Sequence, residues 1–191
     1  MEKYNKGMRF LSITMLSLCA CFFIPADSVA SDTAAVSFQA KIGDGSCDID
    51  LSDAALSYGV HRAADIEPAS AVRVLPLYIN IRCNGNTTPG LSVSGSTYPS
   101  SPEAQDVFFR DADSVATGVG FMVRKGESGV NSANFYNPDA AFKNGESIQL
   151  PAVSEQDPHS DYLLLGLVRV GSDQVTPGMI KSTLTVRVDY E

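Results

Sequence analysis

The run Leu75-Pro-Leu-Tyr-Ile-Asn-Ile-Arg-Cys83 decides the fold class. Leu77, Ile79, Ile81 and Cys83 alternate with Tyr78, Asn80 and Arg82, and the Asn84-Gly85 pair that follows is a turn signal. Period two turns one face to a core and the other to solvent, so this is a half-buried strand that carries a cysteine inward. Val119, Phe121 and Val123 alternate in the same way with Gly120, Met122 and Arg124, and Leu184, Val186, Val188 and Tyr190 alternate with Thr185, Arg187 and Asp189. Weaker strand patterns lie at 34–42, 55–60, 91–96, 107–110, 147–150 and 162–170. The last is nearly all apolar and is expected to be buried on both faces. Clusters of Gly, Pro, Asn, Asp and Ser at 85–89, 98–102, 126–132, 154–160 and 171–178 separate the strands. No helical period runs beyond a turn or two. Short strands at about 8–12-residue spacing predict an all-β sandwich of immunoglobulin-like type, without repeat or linker.

Composition bounds the rest. The 191 residues are 44% hydrophobic and 19% charged, which is enough apolar surface to bury a core and unlike a disordered chain. Acidic residues outnumber basic ones 22 to 14, so nucleic acid and anionic lipid are poor partners; both require clustered Lys and Arg. There is no Trp and there are only two His, which leaves little material for catalytic or metal chemistry.

Residues 1–30 read as a secretory signal peptide: Lys3, Lys6 and Arg9 precede an uncharged, mostly apolar run from Phe10 to Ile24, and Ser28-Val29-Ala30 offers small residues for cleavage. The run is short for a bilayer span, and no later stretch approaches about 20 apolar residues, so stable membrane insertion is not expected. Leu18-Cys19-Ala20-Cys21 imitates a lipid-attachment box only loosely, because Phe22, Phe23 and Ile24 continue the apolar run beyond it. The remaining 161 residues hold 11 basic and 20 acidic side chains, a net charge of −9.

Cys19 and Cys21 fall in the leader, which leaves Cys47 and Cys83. An even pair in an oxidising compartment suggests one disulfide, with two buried free thiols as the other reading. Neither has a second Cys or a His near it, so zinc is excluded. No nucleophile elbow, phosphate loop, dinucleotide fingerprint or His-Glu-x-x-His motif is present. His61 and His159 sit alone in polar, loop-like sequence and read as solvated surface residues. Asp48, Asp50 and Asp53, and likewise Asp111 and Asp113, lack the glycine and distal Glu of a calcium loop and read as solvated carboxylates. Asn86-Thr87-Thr88 matches a glycosylation sequon in a turn. Neither an enzyme nor a cofactor is expected.

The strands together carry a resemblance. Ala35-Val-Ser-Phe-Gln-Ala-Lys-Ile, then Cys47, then Leu77-Tyr-Ile-Asn-Ile-Arg-Cys83, then Gly118-Val-Gly-Phe-Met-Val, and finally Thr176-Pro-Gly through to Tyr190 resemble a chaperone–usher fimbrial subunit of the type 1-like kind. The resemblance covers essentially the whole mature chain. Its most specific element is the end: Thr-Pro-Gly, a spacer, an alternating strand and an aromatic next to last.

It implies an incomplete immunoglobulin-like β-sandwich that lacks its last strand and is completed by a donor strand, with β-strand addition as the binding mode. The implied organisation is a signal peptide at 1–30, an N-terminal donor-strand extension at 31–46 that overlaps the first strand, and a pilin domain at 47–191. The donor face would be Ala34, Val36, Phe38, Ala40 and Ile42, every second residue of a strand; Ala40 stands where the family usually places Gly. Leu184, Val186, Val188 and Tyr190 would line the groove and the C-terminal strand. The resemblance implies a structural subunit of a fimbria that polymerises by donor-strand exchange and supports cell adhesion. Implied partners are a periplasmic pilus chaperone, an outer-membrane usher and neighbouring pilus subunits, along an export route through the periplasm to the cell surface. The short extension before Cys47 favours a minor, adaptor-like subunit; the alternative is a tip-located subunit that binds a host or surface glycan directly.

Cleavage after Ala30 predicts Ser31 as the first residue of the exported protein, and N-terminal sequencing checks it. A start at lipid-modified Cys21 would reject the soluble-subunit reading.

Overall fold

The computed structural model describes residues 35–40, 47–84, 87–99, 106–154 and 157–189, the first of these as a backbone strand. The expectations for the leader, for the sequon Asn86, and for Ala34, Ile42 and Tyr190 fall outside the described residues. The strands are β1 Ala35–Ala40, β2 Cys47–Leu51, β3 Ala55–Ser57, β4 Ala71–Cys83, β5 Gly90–Gly95, β6 Val119–Lys125, β7 Ser147–Gln149, β8 His159–Arg169 and β9 Lys181–Asp189. They form two sheets, one ordered β3-β1-β9-β5-β7 and the other β2-β4-β8-β6. This is the immunoglobulin-like sandwich that the alternating patterns predict.

The core between the sheets is built from every second residue of the long strands. Leu77, Ile79 and Ile81 of β4, Val119, Phe121 and Val123 of β6, and Leu163, Leu165 and Leu167 of β8 meet Leu91, Val93, Leu184 and Val186 of the facing sheet, all buried. Full burial of one such side chain contributes about 1.5–3 kcal/mol. Tyr58, just past β3, reaches across this core: its hydroxyl donates to the Leu165 carbonyl at 2.8 Å, and its ring packs 5.1 Å from that of Phe121. Burial holds its phenol far above the ordinary tyrosine range, with the Arg73 charge opposing the shift, so it remains a donor.

A second buried cluster lies on the other side of the β4–β8–β6 face. Ala71, Met122, Leu164, Val168 and Val170 pack there against Val107, Phe108 and Phe135. This confirms that the apolar stretch of β8 is buried on both faces. It corrects the half-buried reading of β6, whose Gly120, Met122 and Arg124 are also buried. Arg124 is tolerated there because its guanidinium donates to the Phe135 carbonyl at 2.8 Å, lies 5.8 Å from the Phe135 ring centroid and pairs with Glu127 at 3.4 Å.

Two further expectations are corrected. Residues 107–110 form isolated bridges instead of a strand: Phe108 belongs to the outer cluster and Phe109 to the inner one, Phe109 exchanges backbone bonds with Phe121, and on the other side Tyr98 N–H donates to the Phe108 carbonyl and Arg110 N–H to the Ser96 carbonyl. The structure adds β2, a strand absent from the patterns above, in which Cys47, Ile49 and Leu51 alternate with Asp48 and Asp50. It is short, and its register with β4 is fixed by the Cys47–Cys83 disulfide, which joins directly opposed residues.

That bridge closes a separation of 36 residues, for which chain entropy assigns about 4 kcal/mol. Replacing both cysteines by serine is expected to lower unfolding stability by about that amount, read as a lower urea midpoint at unchanged slope. Tyr58 supplies a pH prediction. Below the ordinary tyrosine pKa of 10.0 its phenol is neutral folded and unfolded; above it the unfolded chain loses the proton while the folded chain retains it. Stability should therefore fall above that pH by up to about 1.4 kcal/mol per unit. Tyr58→Phe removes this dependence, and at neutral pH it costs about 0.5–1.5 kcal/mol, the loss of the hydroxyl's bond to the Leu165 carbonyl; urea titrations at neutral and alkaline pH read both effects.

Candidate functional site: the slot between β3 and β9

The final strand β9 carries the alternation that the sequence shows: Ser182, Leu184 and Val186 are fully buried, Lys181, Thr183, Thr185 and Val188 partly so, and Arg187 exposed. Its two edges are treated differently. On one edge β5 runs antiparallel to it from Gly95↔Leu184 to Gly90↔Asp189.

The start of β9 is clasped on that side by the segment before β6. The Asp111 carboxylate accepts from the Thr183 backbone N–H and hydroxyl, both at 2.8 Å, and lies 3.6 Å from Lys181 Nζ. Lys181 N–H donates to Ser114 Oγ, and Ser114 Oγ–H is in turn a donor to the Lys181 carbonyl. Asp111 is thus a structural anchor rather than a solvated carboxylate. The Thr176-Pro177-Gly178 stretch belongs to the same clasp: Thr176 N–H donates to the Thr117 carbonyl, and Thr117 N–H donates to Thr176 Oγ1. Gly178 passes so close to the 115–116 backbone that a Cβ would lie 2.6 Å from Ala116 N, which explains glycine there.

The other edge of β9 faces β3, and between them lies β1. It pairs antiparallel with β3, Val36 opposite Leu56, and parallel with β9 over its whole length. Val36, Phe38 and Ala40, the donor residues read from the sequence, take the register positions opposite Ser182, Leu184 and Val186. The described N-terminal segment therefore stands in this chain's own sheet. Parallel pairing of first and last strands is the exception in a sandwich of antiparallel neighbours, and per residue it is slightly weaker than antiparallel pairing. Without β1, the facing edges of β3 and β9 would have no strand between them, the condition that makes an edge adhesive.

A small cavity of about 70 Å³ is lined by Ile66, Val119, Leu167, Val175 and Ile180 among others. His61 lies at its rim, with Nε2 2.7 Å from the Tyr58 carbonyl. His61 is therefore partly buried and held, not a free surface residue. His159 is likewise partly buried, 3.5 Å from Asp161. Among the described residues no three His, Cys, Asp or Glu side chains gather as a metal site, and no helix is long and apolar enough to cross a membrane.

The comparisons with known proteins bear on this chain as follows. Two solved structures are similar to it at 15% identity: the P pilus rod subunit PapA (TM-score 0.49, 76% of this chain and 99% of that one) and the CupB6 tip adhesin from Pseudomonas aeruginosa (TM-score 0.41, 77% and 44%). No curated protein sequence matches significantly. The family model described as "Fimbrial protein" matches residues 36–191, from the second residue of β1 to the last residue of the chain. With the sandwich, the cross-strand disulfide and the strand-filled slot, that match identifies the chain as a member of the Fimbrial protein family, a pilus subunit that assembles with other subunits at the cell surface.

Proposed function

We propose that this chain is a structural, adaptor-like subunit of a chaperone–usher fimbria and that it polymerises by donor-strand exchange through the slot between β3 and β9. The observation that carries the reading is β1 itself, a separable N-terminal strand lying parallel to β9 where the sandwich would otherwise have an open edge. In the free subunit, β1 shields that edge. In the fibre residues 31–46 leave it and fill the slot of the next subunit, while a preceding subunit's extension fills this one. A donor from another chain is free to run antiparallel to β9, the better-paired direction, so the exchange is downhill. During export a chaperone strand holds the slot and an usher organises the exchange.

Asp111, Ser114 and β5 hold β9 from the opposite side, so its slot-facing edge can change partner without dismantling the sandwich. Ala40 sits opposite Val186, a small residue on the donor face where the family usually has Gly.

A mature chain shortened to begin at Cys47 tests the reading. It is expected to aggregate alone and to become a soluble one-to-one complex when a synthetic peptide of residues 31–46 is supplied. Appending a copy of that segment after Glu191 through a flexible linker should give a monomer whose unfolding midpoint exceeds that of the shortened chain, because pairing becomes intramolecular. Phe38→Arg should abolish joining to a neighbour, since an unpaired charge in the slot costs several kcal/mol, while capture by a chaperone that brings its own strand survives. A shortened chain that is a stable monomer and ignores the peptide would overturn the proposal.

A further inference from the structure

Among the described residues, Tyr78 of β4 and Tyr162 of β8 form the one ring contact between two tyrosines. They are direct cross-strand partners, with centroids 5.9 Å apart and planes inclined by 43°. The Cβ atoms of such partners lie about 4.5–5.5 Å apart, so the strand ladder itself keeps the two phenols together. Tyr78 is 59% exposed and is the one exposed tyrosine among the described residues. Tyr162 is held: it packs against the second buried cluster, its ring covers Gly126, where a Cβ would lie 2.6 Å from the ring carbons, and its carbonyl accepts from Gly126 N–H at 2.7 Å. One ring is fixed, and its neighbour is open to water and has room to turn toward it.

Nothing charged on that face touches the rings. On the β2 side Tyr78 exchanges backbone bonds with Ser52, whose N–H donates to its carbonyl and whose Oγ accepts from its N–H. Further along, Asn80 stands between Asp50 and Ser160, and the exposed Arg82 stands in register with Asp48. Arg82 is four residues from Tyr78, about 13 Å along an extended strand. A nearby indole or thiol would quench an oxidised tyrosine before it could react with another. The chain has no Trp, and Cys47 and Cys83, its only cysteines after residue 30, are bonded to each other. Of the two methionines after residue 30, Met122 is fully buried and Met179 precedes β9 of the other sheet.

From this juxtaposition we infer that Tyr78 and Tyr162 are an oxidative modification site, where a peroxide-driven one-electron oxidant joins β4 to β8 as dityrosine. The oxidant takes one electron from each phenol, and each phenol releases its hydroxyl proton. The two phenoxyl radicals couple through ring carbons ortho to oxygen, and the hydrogen on each coupling carbon moves to the oxygen as the rings regain aromaticity. The protein loses two electrons and two protons and gains one C–C bond, while one hydrogen peroxide takes up both electrons and both protons and becomes two waters. The disulfide already joins β2 to β4, so the new bond makes β2, β4 and β8 one covalent unit. It closes a longer stretch of chain than the 36-residue separation of the disulfide, which restricts the unfolded state more. β1 and β9 belong to the other sheet, so the modification leaves the β3–β9 slot untouched and stands or falls independently of donor-strand exchange.

Treatment of the dilute full mature chain with horseradish peroxidase and hydrogen peroxide tests it. The monomer should gain dityrosine fluorescence and lose the mass of two hydrogens, and trypsin should leave residues 74–82 joined to residues 144–169. Tyr78→Phe and Tyr162→Phe keep the rings and should fold, since each removes only a hydroxyl; each should lower the yield of this cross-link at least tenfold. Tyr136→Phe, which alters a tyrosine stacked on Phe108, should leave the yield unchanged. An unmodified mass, cross-links confined to other tyrosines or to pairs of chains, or an undiminished yield in either Tyr78→Phe or Tyr162→Phe would overturn the inference.

Discussion

The structure depends on what lies against the free edge of β9. That strand completes the inner core with Leu184 and Val186, yet only one of its edges is secured by β5 and the 110–117 clasp. The other edge presents backbone donors and acceptors whose only strand partner among the described residues is the six-residue β1. Backbone groups of a buried strand cannot be left unpaired without a penalty comparable to a lost hydrogen bond for each. Whatever fills the slot therefore completes the fold, and under the proposed function completing the fold and joining the next subunit would draw on the same interaction.

The other ties among the described residues lie elsewhere in the sandwich. The disulfide ties β2 to β4 at the far sheet, and Tyr58 links the region just past β3 to β8 through the core. The second cluster under Phe108 and Phe135 stiffens the β4–β8–β6 sheet from outside. Each of these ties lies away from the β1–β9 ladder, so the sandwich has stability that does not rest on which strand occupies the slot. Tyr78 and Tyr162, paired on the outer face of β4 and β8, lie on the opposite sheet from the β1–β9 ladder.

Much of this was legible because alternation is a local signal. Leu77, Ile79 and Ile81 declare a strand whatever lies beside them, and Leu184 and Val186 do the same near the C-terminus. Where reading failed, a non-local partner was the reason. Gly120, Met122 and Arg124 alternate like solvent-facing residues, but Val107 and Phe108 before β6 and Phe135 after it cover that face. Asp111 looked like any surface carboxylate, because its receptor, the Thr183 N–H, is 72 residues away. His61 looked free because nothing in the sequence says that the chain turns it back toward the Tyr58 carbonyl. The β2 strand had the alternation but only five residues, and its two aspartates drew attention to metal chemistry.

The sequence by itself determined the strand content, the sandwich class, the paired cysteines and the inward residues of β9, since side-chain period and residue type are properties of neighbouring positions. Only the tertiary structure decided that Val36, Phe38 and Ala40 stand opposite Ser182, Leu184 and Val186 in a parallel ladder, and that Tyr78 meets Tyr162 at the end of an outer cover. Those facts are choices of partner. An alternating strand states which face it buries, but its backbone hydrogen bonds are the same for any neighbour, and chain entropy and packing over the whole domain select which one arrives.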